Sequence, residues 1–173
     1  MALERPIAED PYAKLPPVAS FTLTSEDLTD GEPMPLLHVA EDAGGKGVSP
    51  QLSWSGAPDG TLSYAVTVFD PDAPTPSGYW HWAVADVPAS VTSLAQGADL
   101  PAGAYAVRND KGNRRYDGAA PPEGDHPHRY YVVVHAVDVE ELGAGPDATP
   151  AVVSFMLAFH TLARAQLVVT YAR

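Results

Sequence analysis

Tyr130-Tyr131-Val132-Val133-Val134-His135-Ala136-Val137-Asp138-Val139 is the most apolar run in the chain, with valines at 132, 133, 134, 137 and 139. A run of β-branched and aromatic residues with no polar face belongs in the middle of a layered sheet, buried on both sides. Leu62 to Phe69 and His81 to Val87 have the same character. Gln51 to Ser55 instead alternates Leu52 and Trp54 with Ser53 and Ser55, the pattern of a half-buried strand. Pro58, Pro71, Pro74, Pro76, Pro88 and Pro101 bound these runs, because proline cannot donate to a central ladder.

Outward from the strands, Thr149-Pro150 pairs an N-cap residue with a proline at the first helical position. Val152, Phe155, Met156, Phe159, Leu162 and Ala163 then follow at three- and four-residue spacing, which predicts a helix with one apolar stripe. Leu167 to Tyr171 reads as a last strand. The first seventeen residues, polar and proline-bearing, read as an irregular lead-in. Residues 104 to 128 form a long polar loop between buried strands, a place where function concentrates.

The chain has 173 residues, which suits a single domain over 1–173. It carries 14 glycines and 18 prolines, spread along its length, which favours many short strands and turns over a helical bundle. A net charge of −12 argues against nucleic-acid binding, which needs Lys and Arg to meet phosphates, and against docking on an anionic membrane. There is no cysteine, so disulfides, thiolate metal sites and a Cys nucleophile are excluded. No apolar run reaches the length of a membrane span, and the N-terminus lacks the form of a signal peptide; a cytoplasmic location is the expectation.

Two stretches carry the candidate chemistry. The first runs Asp70-Pro71-Asp72-Ala73-Pro74, then Gly78-Tyr79-Trp80-His81-Trp82. It sets two acids at the end of a buried strand, a proline-stiffened turn, and an imidazole at the start of the next strand. The second runs from Tyr116 through Gly118-Ala119-Ala120-Pro121-Pro122-Glu123-Gly124 to His128-Arg129-Tyr130, delivering three polar side chains at the mouth of the most apolar strand. Each has a plain structural reading. Asp-Pro-Asp is a common turn, a lone histidine is usually a satisfied core or surface residue, and a tryptophan pair usually packs. His135, on a buried strand, and His160, on the helix, read as structural. His126 reads as a solvated loop residue close to the second stretch. Arg108, Asn109, Arg114 and Arg115 frame the loop without an assigned role.

The two stretches together, in this order, resemble the phosphatidylethanolamine-binding protein family, and within it the prokaryotic branch known as Raf-kinase-inhibitor-like proteins. Ser49-Pro50-Gln51-Leu52-Ser53-Trp54 upstream and Phe159-His160-Thr161-Leu162-Ala163 downstream extend the resemblance over about residues 20 to 172. The resemblance implies a mainly β (α+β) fold: a central antiparallel β-sheet packed against a smaller β-sheet, with a C-terminal helix. It implies a small anion-binding pocket near the surface, lined by Asp70, His81 and His128, with Asp72, Tyr79 and Tyr130 as neighbours. It also implies a cis Ala73–Pro74 bond. Departures are a short segment between Pro74 and His81 and a chain that stops soon after the helix, so the eukaryotic C-terminal contribution to the rim is not carried over.

The expected role is therefore a non-catalytic binding module for small anions or phosphorylated ligands of the phosphate or phosphoethanolamine type. Imidazole and phenol groups would donate to phosphate oxygens, Asp70 would hold an imidazole protonated, and Tyr79, Trp80 and Trp82 would form an aromatic rim. One alternative is an inhibitor that binds a kinase or protease. Another is a hydrolase using metal or acid–base chemistry at Asp70, His81 and His128, disfavoured by the lack of a local His-x-x-x-His pair or nucleophile elbow. No cofactor is expected. A small anionic or phosphorylated ligand is the expected partner; any protein partner, and a homodimer through the helix or strand edges, stay open.

Overall fold

The computed structural model describes residues 4–173, so the first three residues of the expected lead-in lie outside it. In chain order the strands are β1 (Ala19–Ser20), β2 (Thr22–Thr24), β3 (Leu52–Ser55), β4 (Ser63–Asp70), β5 (Tyr79–Pro88), β6 (Ser93–Leu94), β7 (Tyr105–Ala106), β8 (His128–Val137) and β9 (Thr161–Tyr171). One α-helix, α1 (Pro150–His160), runs straight into β9. Among the described residues no helix is long and apolar enough to cross a membrane.

Six strands form the main sheet, in the order β1-β9-β8-β4-β5-β7, and β2-β3-β6 form a smaller one. The expectation of an antiparallel main sheet needs one correction. β1 runs parallel to β9, so the sheet is mixed, while the other pairings are antiparallel. A two-residue exposed edge strand carries no periodic signal that sequence reading could detect.

β4 and β8 are buried almost along their whole length, as their two-sided apolarity requires. Tyr64, Val66 and Val68 of β4 and Tyr130, Val132 and Val134 of β8 join Leu23, Leu52, Trp54 and Leu94 of the small sheet in one core. Side chains of opposite parity on these strands face the other way. There Ala65, Ala83, Ala85 and Val137 meet Leu142 and the Val153 and Leu157 face of α1.

α1 begins where Thr149 was expected to cap it, with the Thr149 side chain accepting a hydrogen bond from the Val152 N–H. Its buried face differs from the predicted stripe. Pro150, Val153 and Leu157 point inward, whereas Val152, Phe155 and Phe159 are exposed, Phe159 by 69%. Leu162 and Ala163 lie on β9, which starts six residues before the expected Leu167. No peptide bond among the described residues is cis, so Ala73–Pro74 is trans, contrary to expectation.

Candidate functional site

The C-terminal end of β4 lies between the N-terminal ends of β5 and β8, because both neighbours run antiparallel to it. Strand parity then fixes what meets there. Asp70 follows Val68 on the face that looks to the small sheet, and His128, Tyr130 and Val132 share that face on β8. His81 reaches the same place by a β-bulge. Val68 pairs with Trp82 and Phe69 with Trp80, so His81 is the extra residue on β5. Bulges redirect a side chain at the cost of local pairing.

These residues line a cavity of about 280 Å³ at this end of the sheet. Asp70, His81 and His128 are the most buried of its lining side chains, and Tyr79, the Ala73–Thr75 turn, Asp117, Gly118, Ala120 and Pro122 line it with them. Asp42 and Lys111 face each other at the mouth, 2.8 Å apart. Two glycines make the geometry possible. A Cβ on Gly118 would sit 2.4 Å from the Ala40 nitrogen and the His38 carbonyl oxygen, so only glycine lets that wall lie on residues 38–40. Gly78 has φ of +68°, and a Cβ there would meet Phe69 at 2.4 Å.

Electrostatics separate the two histidines. The Nδ1 of His128 is 2.7 Å from Asp70 Oδ2 and its Nε2 is 3.1 Å from Asp125 Oδ2. Both contacts are hydrogen bonds only if both nitrogens carry protons, so the geometry fits an imidazolium. Burial is the largest single influence on this group and favours neutrality. The hydrogen bonds and charges of Asp70 and Asp125 together overcome it and hold the pKa above the ordinary histidine value. His81 is the reverse case. Burial dominates and draws its pKa below the ordinary value, with the charge of Asp70 opposing. Its Nδ1–H donates to the Asp117 carbonyl at 2.9 Å, and its buried Nε2 has no hydrogen-bond partner among the described residues.

Asp72 and Tyr130, expected as neighbours of the pocket, adjoin it without lining it. Asp72 leaves the cavity side: its carboxylate accepts from the Arg129 backbone N–H at 3.0 Å and from the guanidinium at 2.7 and 2.8 Å, and from the Ala8 N–H at 3.1 Å. Burial opposes its charge, yet Arg129 holds its carboxyl below the usual range. Asp72 thus ties the turn after β4 to the opposite face of β8. Tyr130 is fully buried behind His81, ring centroids 5.2 Å apart, and is absent from the cavity lining. Its hydroxyl has no well-formed hydrogen bond, and burial together with the charge of Asp70 pushes its pKa far up. Of the expected aromatic rim only Tyr79 lines the cavity. Trp82 packs in the core against Tyr116, and Trp80 packs against Phe69 with the rings tilted 40° and 4.4 Å apart on the far face.

Sequence reading passed over several participants. Asn109 is a buried organiser: its amide donates to the His81 and Arg115 carbonyls and to Asp117, while its oxygen accepts from Lys111 and Asn113 N–H groups. Lys111, Asp117 and Asp125 all lie in or beside the long polar loop, whose composition was the available signal. Asp42, far upstream, gave none. His126 is half-buried rather than solvated, its ring 5.4 Å from that of His128. His135 bonds Thr161 and His160 bonds Asp138, consistent with structural roles. Among the described residues no group of three or more His, Asp or Glu side chains is placed to hold a metal ion.

Comparison with known proteins follows the same lines. Residues 24–172 match the family model described as phosphatidylethanolamine-binding protein. The chain is 43% identical to the UPF0098 protein YbhB of Escherichia coli over 157 residues, covering 87% of this chain and 99% of that one. It is 42% identical to the crystal structure of E. coli YbcL, with a TM-score of 0.85 over 90% of this chain and 99% of the other. A phosphatidylethanolamine-binding protein from Plasmodium vivax shares the fold at 14% identity, with a TM-score of 0.64 over 94% of this chain and 90% of that one.

Proposed function

Because the chain belongs to the phosphatidylethanolamine-binding protein family, we propose that the cavity walled by Asp70, His81 and His128 is a receptor for a small phosphate-bearing or related oxyanionic ligand, held without turnover. The observation that carries this reading is the Nε2 of His81, buried at the cavity wall and without a partner. A buried polar atom left unpaired costs about 1–3 kcal/mol, so it is a natural point of attachment for a ligand.

Proton accounting follows from the tautomer. With Nδ1–H given to Asp117, neutral His81 offers a lone pair at Nε2. It can accept a hydrogen bond from a protonated phosphate oxygen, or take up a proton and donate to an ionised one. Either way one proton accompanies the anion into an acid-lined site. At the mouth, Lys111 and Asp42 present the opposite charges that a phosphoethanolamine headgroup carries. Tyr79, half-buried and 5.0 Å from His81, supplies an apolar side wall.

Calorimetric titration with inorganic phosphate and with phosphoethanolamine from pH 5.5 to 8.5 tests the reading. Affinity is expected to fall as pH rises, approaching about tenfold per pH unit once ligand and His81 are both deprotonated. His81→Ala should weaken binding at least about tenfold. Tighter binding of phosphoethanolamine than of phosphate would assign the rim pair to the ammonium, and equal binding would restrict recognition to the oxyanion. No saturable binding by the wild-type protein at any pH, or undiminished binding in His81→Ala, overturns the proposal.

A further inference from the structure

The segment ahead of β1, expected to be an irregular lead-in, is built into the site from behind. Ala8 donates its N–H to Asp72 at 3.1 Å and accepts from the Arg129 guanidinium at 2.6 Å. Three residues earlier, the Arg5 Nη2 donates to Asp125 Oδ2 at 2.6 Å and lies 3.2 Å from His128 Nε2. The Arg5 Nη1 is 2.9 Å from His126 Nε2, which accepts from it while His126 Nδ1–H serves the Pro127 carbonyl. One short segment therefore clamps both the turn after β4 and the loop before β8, the two structures that frame the cavity.

Its electrostatic effect is more specific than a clamp. His128 is faced by Asp70 from β4, by Asp125 from the loop, by Arg5 from the N-terminal segment and by His126 beside it, while His81 of β5 lines the same cavity. Asp70 and Asp125 bring two negative charges. The imidazolium brings one positive charge, and the guanidinium of Arg5 is the second. Without it, an almost fully buried Asp125 side chain, 1% exposed, leaves the cluster negative and opposes any anion nearby.

We propose that Arg5 is a positioning residue of the cavity, whose guanidinium neutralises Asp125 through a contact outside the sheet and so lets an acid-lined pocket admit a small oxyanion. The affinity half of this inference rests on the reading of the cavity as an oxyanion receptor; the effect on His128 does not.

Two measurements on Arg5→Gln, with Arg5→Lys as the conservative control, test it. NMR titration of the His128 imidazole in the free protein should show its pKa rising in Arg5→Gln by about half a unit to one unit, because a cation has left its side. Arg5→Lys should recover most of the wild-type value. A role in holding the segment down would alter thermal stability without moving His128. Titration with inorganic phosphate at pH 6 should show Arg5→Gln binding about five- to tenfold more weakly, with partial recovery in Arg5→Lys. An unmoved His128 pKa in Arg5→Gln overturns the proposal, as does unchanged phosphate affinity. Wild-type protein that binds no phosphate overturns the receptor reading and the affinity half with it, an outcome separable because the His128 shift is read without ligand.

Discussion

The two ends of strand β8 hold two buried histidines in opposite states. His128, at the first residue, has a carboxylate on each ring nitrogen and a pKa above the ordinary value. His135, seven residues on, is also buried, but among the described residues its ring hydrogen-bonds only the Thr161 hydroxyl. Burial drives its pKa down to about 3, and the charge of Arg164 adds to the effect. Burial alone discharges an imidazole; carboxylates brought to it keep it charged. The difference marks the cavity end of the strand as built for charge and the far end as built for packing.

The largest expected effect comes from breaking the charged end. Asp70→Ala removes the partner of His128 Nδ1 and the acceptor of the Asp72 N–H, so stability at pH 6 should fall by about 3 kcal/mol in urea unfolding. A loss below about 1 kcal/mol would mean the pair does not organise this end.

Next in size is a pair of pH dependences with opposite sign. The raised folded pKa of His128 gives stability that is full below the unfolded value, about 6.5, and is lost as pH climbs through the folded one. The depressed pKa of His135 gives stability that is full above about 6.5 and declines as pH falls toward about 3, by up to about 1.4 kcal/mol per pH unit. Hence His128→Gln should cost more at pH 6 than at pH 8.5, whereas His135→Leu should flatten the acid limb of the stability profile. Difference curves that slope the same way would erase the contrast.

The smallest effect sharpens the packing end. Leu157 of α1 packs near His135, but Phe159 points to solvent and touches Phe155 edge-on at 5.1 Å. Phe159→Ser should change the unfolding free energy by less than about 1 kcal/mol. A larger loss would show that the outward face of α1 is covered in solution.

Sequence reading recovered what repetition encodes. The two-sided apolarity of β4 and β8 located the sheet centre, and Thr149-Pro150 located the helix start. It failed where one pattern serves two structures. α1 is apolar nearly all round, so spacing at 152, 155, 156 and 159 could not select Val153 and Leu157 as the inward face. Leu162 and Ala163 prolong a helical spacing that the chain abandons for β9. Asp70, His81 and His128 share one cavity, as the family resemblance implied, and the order of the two motifs was what carried that resemblance. The direction of the Asp72 side chain was not readable, because a turn, unlike a strand, has no parity to fix it. Arg5 and Asp42 were invisible because they reach the site through the path of the chain in space, which no local motif records.

The supernumerary position of His81 has one more consequence. Its aim depends on the length of β5 between Tyr79 and Trp82, and on chemistry only afterwards. Shortening that interval by a single residue would close this bulge and leave the cavity without its imidazole, while the second irregularity, opposite Tyr64 and Val66, would remain. One inserted residue thus separates a plain strand pair from a strand pair with a receptor at its end.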